Sequence, residues 1–245
     1  MKAGRGTLGA VGVGALFLQA LFSRERRQGI GFAAALAPVA RTLAGDERKE
    51  FLSRHVEDFN TNPAMAGPIL GAVMRLEEAA VGGDPEGRER VERFKRAVQS
   101  PFAAAGDRLL WRDLRGGGVA AGCALGWVAG VWGPILFLVV YNLVHLGLRV
   151  GGVFWGYRRG AEAAGLLRSR RFRLVCRPVS WLGPLGIAAV AVVAGATGPL
   201  RPAVATAAVA AAAAGMLLGR GRPGTPRGVF PGAVLLGLAL SILMG

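Results

Sequence analysis

Apolar positions follow two different rules along this chain. Up to about residue 115 they recur at helical spacing among charged residues. Beyond that point they form long runs without charge. The first apolar stretch, residues 8–22, is short for a spanning helix and is weakened by Gly9, Gly12 and Gly14. Lys2 and Arg5 precede it, but Leu18-Gln19-Ala20 is a poor signal-cleavage site. The stretch predicts an interfacial helix or one member of a packed bundle.

Further helices are predicted from 32 to 43 and from Asp46 onward, the latter through Phe51, Leu52, His55, Val56 and Phe59. Asn60-Thr61-Asn62-Pro63 ends that helix. Asn62 is a natural N-cap, and Pro63 suits the first position of the next helix, which runs to about Ala80. Pro68 should kink that helix or sit in its first turn. Asp84-Pro85 repeats the cap signal, Val91, Phe94 and Val98 mark one helical face, and Ser100-Pro101 predicts a new helix. No period-two strand pattern is convincing.

From 116 to 148 there is no Asp, Glu, Lys or Arg in 33 residues, more than the roughly 20 that one span needs. Gly133-Pro134 divides this run, which predicts two short spans or two broken, partly re-entrant helices. Three more uncharged runs follow, at 180–200, 202–219 and 228–245. The pattern predicts an all-α integral membrane protein. An N-terminal amphipathic helical bundle (1–115) precedes several hydrophobic, partly broken transmembrane helices (116–245), the two halves forming one functional unit.

Charge sharpens this division. The net charge is +15, yet residues 116–245 hold a single acid, Glu162, and 12 bases, while residues 1–115 hold 14 acids and 18 bases. The bases at 158–177 and 220–227 lie between apolar runs, the positive-inside pattern. That places the N-terminal half on the cytoplasmic side and speaks against a nucleic-acid partner, which would call for bases spread over a soluble face. Cys123 and Cys176 suggest neither a disulfide framework nor a zinc site. No metal cluster, phosphate loop or nucleophile motif is present, so no catalytic residue, metal or cofactor is expected.

Polar residues in the apolar run are the first candidates for function. Asn142, His145 and Arg149 are spaced i, i+3 and i+7, on one helical face. Intramembrane polar groups usually face a partner helix, a cavity or a substrate path. Arg149 snorkelling to the interface is the bland alternative. Gly106-Asp107-Arg108 and Trp111-Arg112-Asp113 stand just before the apolar half. His55 reads as a packed or surface histidine, and Glu77-Glu78 as part of a solvated helix face.

These pieces, in order, resemble the IID subunit of the mannose/fructose/sorbose family of bacterial phosphotransferase-system sugar transporters. The resemblance rests on Phe17-Leu18-Gln19-Ala20, Arg26-Arg27-Gln28-Gly29-Ile30-Gly31-Phe32, Arg54-His55, and Phe59-Asn60-Thr61-Asn62-Pro63. It continues through Ile69-Leu70-Gly71, Glu77-Glu78, Gly106-Asp107, Leu110-Trp111, Gly133-Pro134, Tyr141-Asn142, His145-Leu146, Arg149 and Gly156-Tyr157. The match holds from about 15 to 165. After the glycine-aspartate pair the family usually has a small polar residue, and this chain has Arg108.

The resemblance implies a subunit without its own catalysis in the bacterial inner membrane. It would form a sugar conduit with a IIC subunit, and higher oligomers of such pairs. IIA and IIB would carry phosphate on histidines, and IIB would phosphorylate a hexose-type sugar. Asn60, Thr61, Asn62 and Asp107 are then expected at the IIC interface or sugar path, with Asn142, His145 and Arg149 as a second polar stripe. A regulatory or scaffolding membrane protein that no longer moves sugar stays open beside this reading.

Overall fold

The computed structural model describes residues 3–80 and 85–183, together with positions 185, 186 and 190. The described residues are helical throughout, with two isolated bridges, Ser23 with Arg27 and Arg27 with Phe59. The first helices are α1 (Arg5–Leu16), α2 (Gly29–Ala35), α3 (Ala37–Ala40), α4 (Gly45–Val56), α5 (Ala66–Ala79) and α6 (Pro85–Gly106). They are followed by α7 (Gly117–Ala129), α8 (Trp132–Leu146), α9 (Gly152–Arg159) and α10 (Arg170–Val179). Wider or tighter turns join several of them: Asp107–Gly116 and Gly147–Gly151 are π-helical, and Pro63–Met65 and Gly160–Arg168 are 3-10.

The described residues divide into two compact units, one from the N-terminus to Leu110 with 142–175, the other from 111–141 with the described residues from Cys176 on. Segment 142–175, beyond the boundary near 115 that charge suggests, therefore packs with the N-terminal helices. The first unit has a continuous apolar core. Ile69, Leu70 and Val73 of α5 and Phe32 of α2 are fully buried within it. Each such side chain contributes about 1.5–3 kcal/mol over its exposed state. Val153 of α9 and Phe102 of α6 join the same core.

α5 and α9 approach each other through glycine. A Cβ on Gly71 would stand 1.9 Å from the Val153 carbonyl oxygen, and one on Gly156 2.0 Å from that of Pro68. Gly67 and Gly152 lie one turn away from these two, and a Cβ on either would also collide, at 2.3 and 2.5 Å. Two small-xxx-small faces thus interlock, the arrangement that lets helix backbones touch.

Three local expectations change. α4 stops at Val56, and Phe59 lies outside it, because its backbone pairs instead with Arg26 and Gln28. No helix starts at Ser100-Pro101: α6 runs through Pro101, since Phe94, Val98 and Phe102 continue one buried face across the proline. Pro68 does sit in the first turn of α5. In the second unit the long uncharged run turns at Gly130, whose φ is +59°, rather than at Gly133-Pro134. Pro134 falls instead in the first turn of α8. α7 and α8 are 13 and 15 residues long, and Gly122 and Gly133 let them pack closely.

α8, α9 and the turns after each follow one another from Trp132 to Arg168, with Gly160 at φ +53° between α9 and the last turn; this 37-residue run is the one described stretch long and apolar enough to cross a membrane. Leu136, Leu138, Val139 and Leu143 are exposed on it, an apolar surface that water does not favour. The runs at 202–219 and 228–245, and most of 180–200, lie outside the described residues.

Candidate functional site

The loop 59–63 is an irregular segment of the first unit held by bonds from three other segments. It leaves α4 extended at Glu57 and enters the turn Pro63–Met65. Asn62 caps that turn, its Oδ1 accepting from the Ala64 N–H at 3.1 Å. Its Nδ2 donates to Asp107 Oδ1 at 2.8 Å, so the whole carboxamide is engaged. This contact requires Gly106, where a Cβ would stand 2.5 Å from Asn62 Cβ. Thr61 Oγ1 donates to the Gln99 carbonyl at 3.1 Å, and Gln99 Oε1 accepts from the Asn60 N–H at 3.1 Å.

On its other side the loop meets Gln28. Gln28 Oε1 accepts from the Thr61 N–H at 3.0 Å, and Gln28 Nε2 donates to the Thr61 carbonyl at 2.8 Å. The Gln28 N–H donates to the Phe59 carbonyl at 2.9 Å. Arg27, beside it with φ of +50°, forms an ion pair with Asp58. Hydrogen bonding to Arg27 holds the Asp58 carboxyl below its ordinary range. Thr61 and Asn62 are buried, Asn60 is half-buried and Asp107 is exposed.

In the second polar group His145 and Arg149 meet, and Arg149 also reaches across to α1. Arg149 is buried and turned onto the end of α1, where Nε donates to the Ala15 carbonyl at 2.8 Å and a terminal nitrogen to that of Leu16 at 3.0 Å. A cation there meets the last carbonyls of the helix, of which Ala15 also accepts from the Leu18 N–H at 3.3 Å, and the negative end of the helix dipole. The other terminal nitrogen lies 3.3 Å from His145 Nε2. Since guanidinium only donates, His145 accepts at that atom. Asn142 stands on the exposed surface of α8. Arg149 is thus a helix cap, not a snorkelling cation. Arg149→Met should lower unfolding stability by about 2 kcal/mol, because two charged hydrogen bonds are lost, one of them to the buried Ala15 carbonyl. Thermal denaturation in detergent checks this.

A third cluster corrects the expectation of a solvated Glu77-Glu78 face. Glu77 is 6% exposed; its Oε2 accepts from Arg54 at 2.9 Å and its Oε1 lies 3.1 Å from His55 Nε2. Glu78 accepts from the Tyr157 hydroxyl at 2.8 Å and pairs with Arg75. Both acids lie in the last turn of α5, where Arg54, His55 and Tyr157 from other segments reach them.

Burial pushes His55 below its ordinary value of 6.5, and Lys95 acts in the same direction, against a weaker opposing effect of Glu77. Burial alone would raise Glu77, but the His55 hydrogen bond and the Arg54 guanidinium outweigh it and hold the carboxyl below 4.5. The folded chain therefore refuses a proton on His55 that the unfolded chain accepts below about pH 6.5. This contribution to stability is complete above that pH and is lost as the pH falls from there. The Glu77 contribution is present above about pH 4.5 and is lost on further acidification. We expect the thermal midpoint to decline from about pH 6.5 downward, and His55→Gln to delay the decline toward about pH 4.5.

Comparison with known proteins decides what these elements belong to. The model of the IID component of the mannose/fructose/sorbose family of the phosphotransferase system matches residues 5–214. The chain belongs to this family. The sorbose-specific IID component of Lacticaseibacillus casei is 38% identical over 147 residues, 59% of this chain and 52% of that protein. The mannose-specific IID component of Escherichia coli K12 is 34% identical, with the same coverage. The chain thus spans about half the length of these relatives. A cryo-EM structure of the mannose transporter ManYZ with microcin E492 superposes with a TM-score of 0.61 at 28% identity, covering 78% of this chain and 70% of that one.

For a IID component the geometry adds residues that motif spacing did not single out. Gln28, Gln99 and Gly106 hold the loop, and only their neighbourhood in the sequence hinted at this. Gln28 lies within the Arg26-Arg27-Gln28-Gly29 string, and Gly106 precedes Asp107. What spacing could not reveal is that segments about 30 and 40 residues away meet at a single turn.

Proposed function

We propose that this IID component forms, with a IIC subunit, the conduit that takes up a mannose-, fructose- or sorbose-type sugar while IIB phosphorylates it, with IIA supplying phosphate to IIB. The observation that carries this reading is the clamped loop 59–63 in a chain matched by the family model across residues 5–214. A transport path needs polar groups held in fixed positions. Asn60, Thr61 and Asn62, with Asp107 against Asn62, supply hydroxyl- and amide-type partners of the kind sugars use. Asn60 and Asp107 are the members with exposure, and they are proposed to face the sugar path or the IIC subunit. Thr61 and Asn62 hold the turn. Asn142 and His145 are proposed as a second polar contact, with Arg149 behind them.

In this reading the chain is a multi-pass protein of the bacterial inner membrane, its N-terminal half on the cytoplasmic side and its apolar runs forming several spans. It works in higher oligomers of IIC–IID pairs. The exposed apolar stretch of α8 and the exposed arginines 158, 159, 168 and 170 beyond it support that orientation.

Uptake of labelled mannose, fructose and sorbose by cells carrying the chain with its own IIC, IIA and IIB tests this. Asn62→Ala should cut uptake at least tenfold, roughly the effect of a lost cap plus an unpaired Asp107 contact. Unchanged uptake, with IIC still co-purifying, would exclude the loop from the path.

A further inference from the structure

We propose that Gln28 is the positioning residue of the 59–63 loop and that it presents Asn60 to a sugar hydroxyl, an inference that rests on the transport reading above. Three polar side chains lie on this loop. Thr61 and Asn62 are used within the protein, by Gln99 and by Ala64 with Asp107. Asn60 differs: Gln99 holds its backbone N–H, but its carboxamide makes no hydrogen bond among the described residues, and it is half-buried rather than solvated. A carboxamide offers both donors and an acceptor, which matches a hydroxyl in either sense.

Gln28 decides where that carboxamide stands. It binds the residue before Asn60 through its own N–H, at the Phe59 carbonyl, and the residue after it through both ends of its side chain, at Thr61. The paired contact to Thr61 closes a ring as an adjacent strand would. Gln28 is 2% exposed, so no water competes for these bonds. The loop around Asn60 is therefore fixed on both sides by one residue of a different segment.

Two substitutions separate positioning from folding. Gln28→Leu removes both side-chain bonds at any pH. Gln28→Glu keeps them when protonated, because the acid has one donor and one acceptor, and loses the donor when ionised. The uptake assay is run from about pH 5.5 to about pH 8.5, a range that brackets the titration of a buried carboxyl. The amount of IIC-bound chain is measured in parallel. We expect Gln28→Leu to raise KM about tenfold throughout, with Vmax per complex changed much less. In Gln28→Glu, KM should climb with pH to a similar extent while the wild type stays flat.

An unchanged KM in both variants overturns the proposal. So does loss of complex in Gln28→Leu with a pH-independent KM in Gln28→Glu, which would leave Gln28 a folding role alone. Asn60→Ala separates the two levels. If it raises KM while the Gln28 variants do not, the loop remains a sugar contact and the positioning role fails. If the wild-type system takes up none of the sugars, the transport reading falls and this proposal falls with it.

Discussion

Gly71→Ala should prevent α5 and α9 from packing and cost the chain its stable fold. The added methyl would meet the Val153 carbonyl oxygen at 1.9 Å, and the Tyr157 backbone nitrogen is 2.6 Å away. Both neighbours are backbone within a helix, so neither can rotate aside. The helices must separate, which takes Ile69, Leu70 and Val73 out of a core in which they are fully buried. Overpacking of a tight core usually costs about 1–3 kcal/mol, and a backbone collision belongs above that range. A fall in the thermal midpoint of roughly 10 °C or more, or failure to recover the chain from detergent, is the expected result. Gly116→Ala is the control, since nothing lies within 4 Å of its added Cβ; its midpoint should stay at the wild-type value.

The second large effect is at Glu77. Glu77→Leu leaves the Arg54 guanidinium and the fully buried His55 without the carboxylate that bonds both. Breaking a buried ion pair from one side typically costs about 3–5 kcal/mol. Arg54 retains Glu50 at 3.6 Å, which offsets part of that, whereas His55 Nδ1 has no partner among the described residues. We therefore expect Glu77→Leu to unfold the chain at a midpoint about 10 °C below the wild type. Glu77→Gln, which keeps the shape and one acceptor, should lose less than half as much. Chemical denaturation at neutral pH compares the two. Equal losses in both variants would assign the effect to the lost charge, since the shape that Gln keeps would then contribute nothing.

How much of this was legible in the sequence depends on the range of the interaction. Asn62 as a cap and Pro63 after it are local facts, and they appear where the sequence places them. The helical character of both halves follows from periodicity and from the run of uncharged residues. The failures are of one kind. Phe59 fits the helical spacing of Phe51 and His55, but segment 26–28 claims its backbone. Glu77 and Glu78 look solvated because nothing nearby in sequence is their partner, while Arg54, His55 and Tyr157 lie 22 to 79 residues away. Helical phase aligns Arg149 with His145, which it meets, but says nothing of α1, which it meets as well. Among the candidate residues Asn60, Thr61, Asn62 and Asp107 are proposed from motif order. Gln28 and Gln99, which fix them, carry no spacing signal because they act through backbone groups.

The Arg149 cap also bears on biosynthesis. The carbonyls of Ala15 and Leu16 find their partner 134 and 133 residues later in the chain. At roughly 5–20 residues per second, a ribosome needs on the order of ten seconds to make that partner. Until then the end of α1 has only its local backbone bonds, without the arginine or the segment 142–175 that completes the first unit. The N-terminal helices must therefore wait, partly assembled, while the hydrophobic hairpin of α7 and α8 is being made. Their final docking is a late event, which waits for the segment that carries Arg149 and α9.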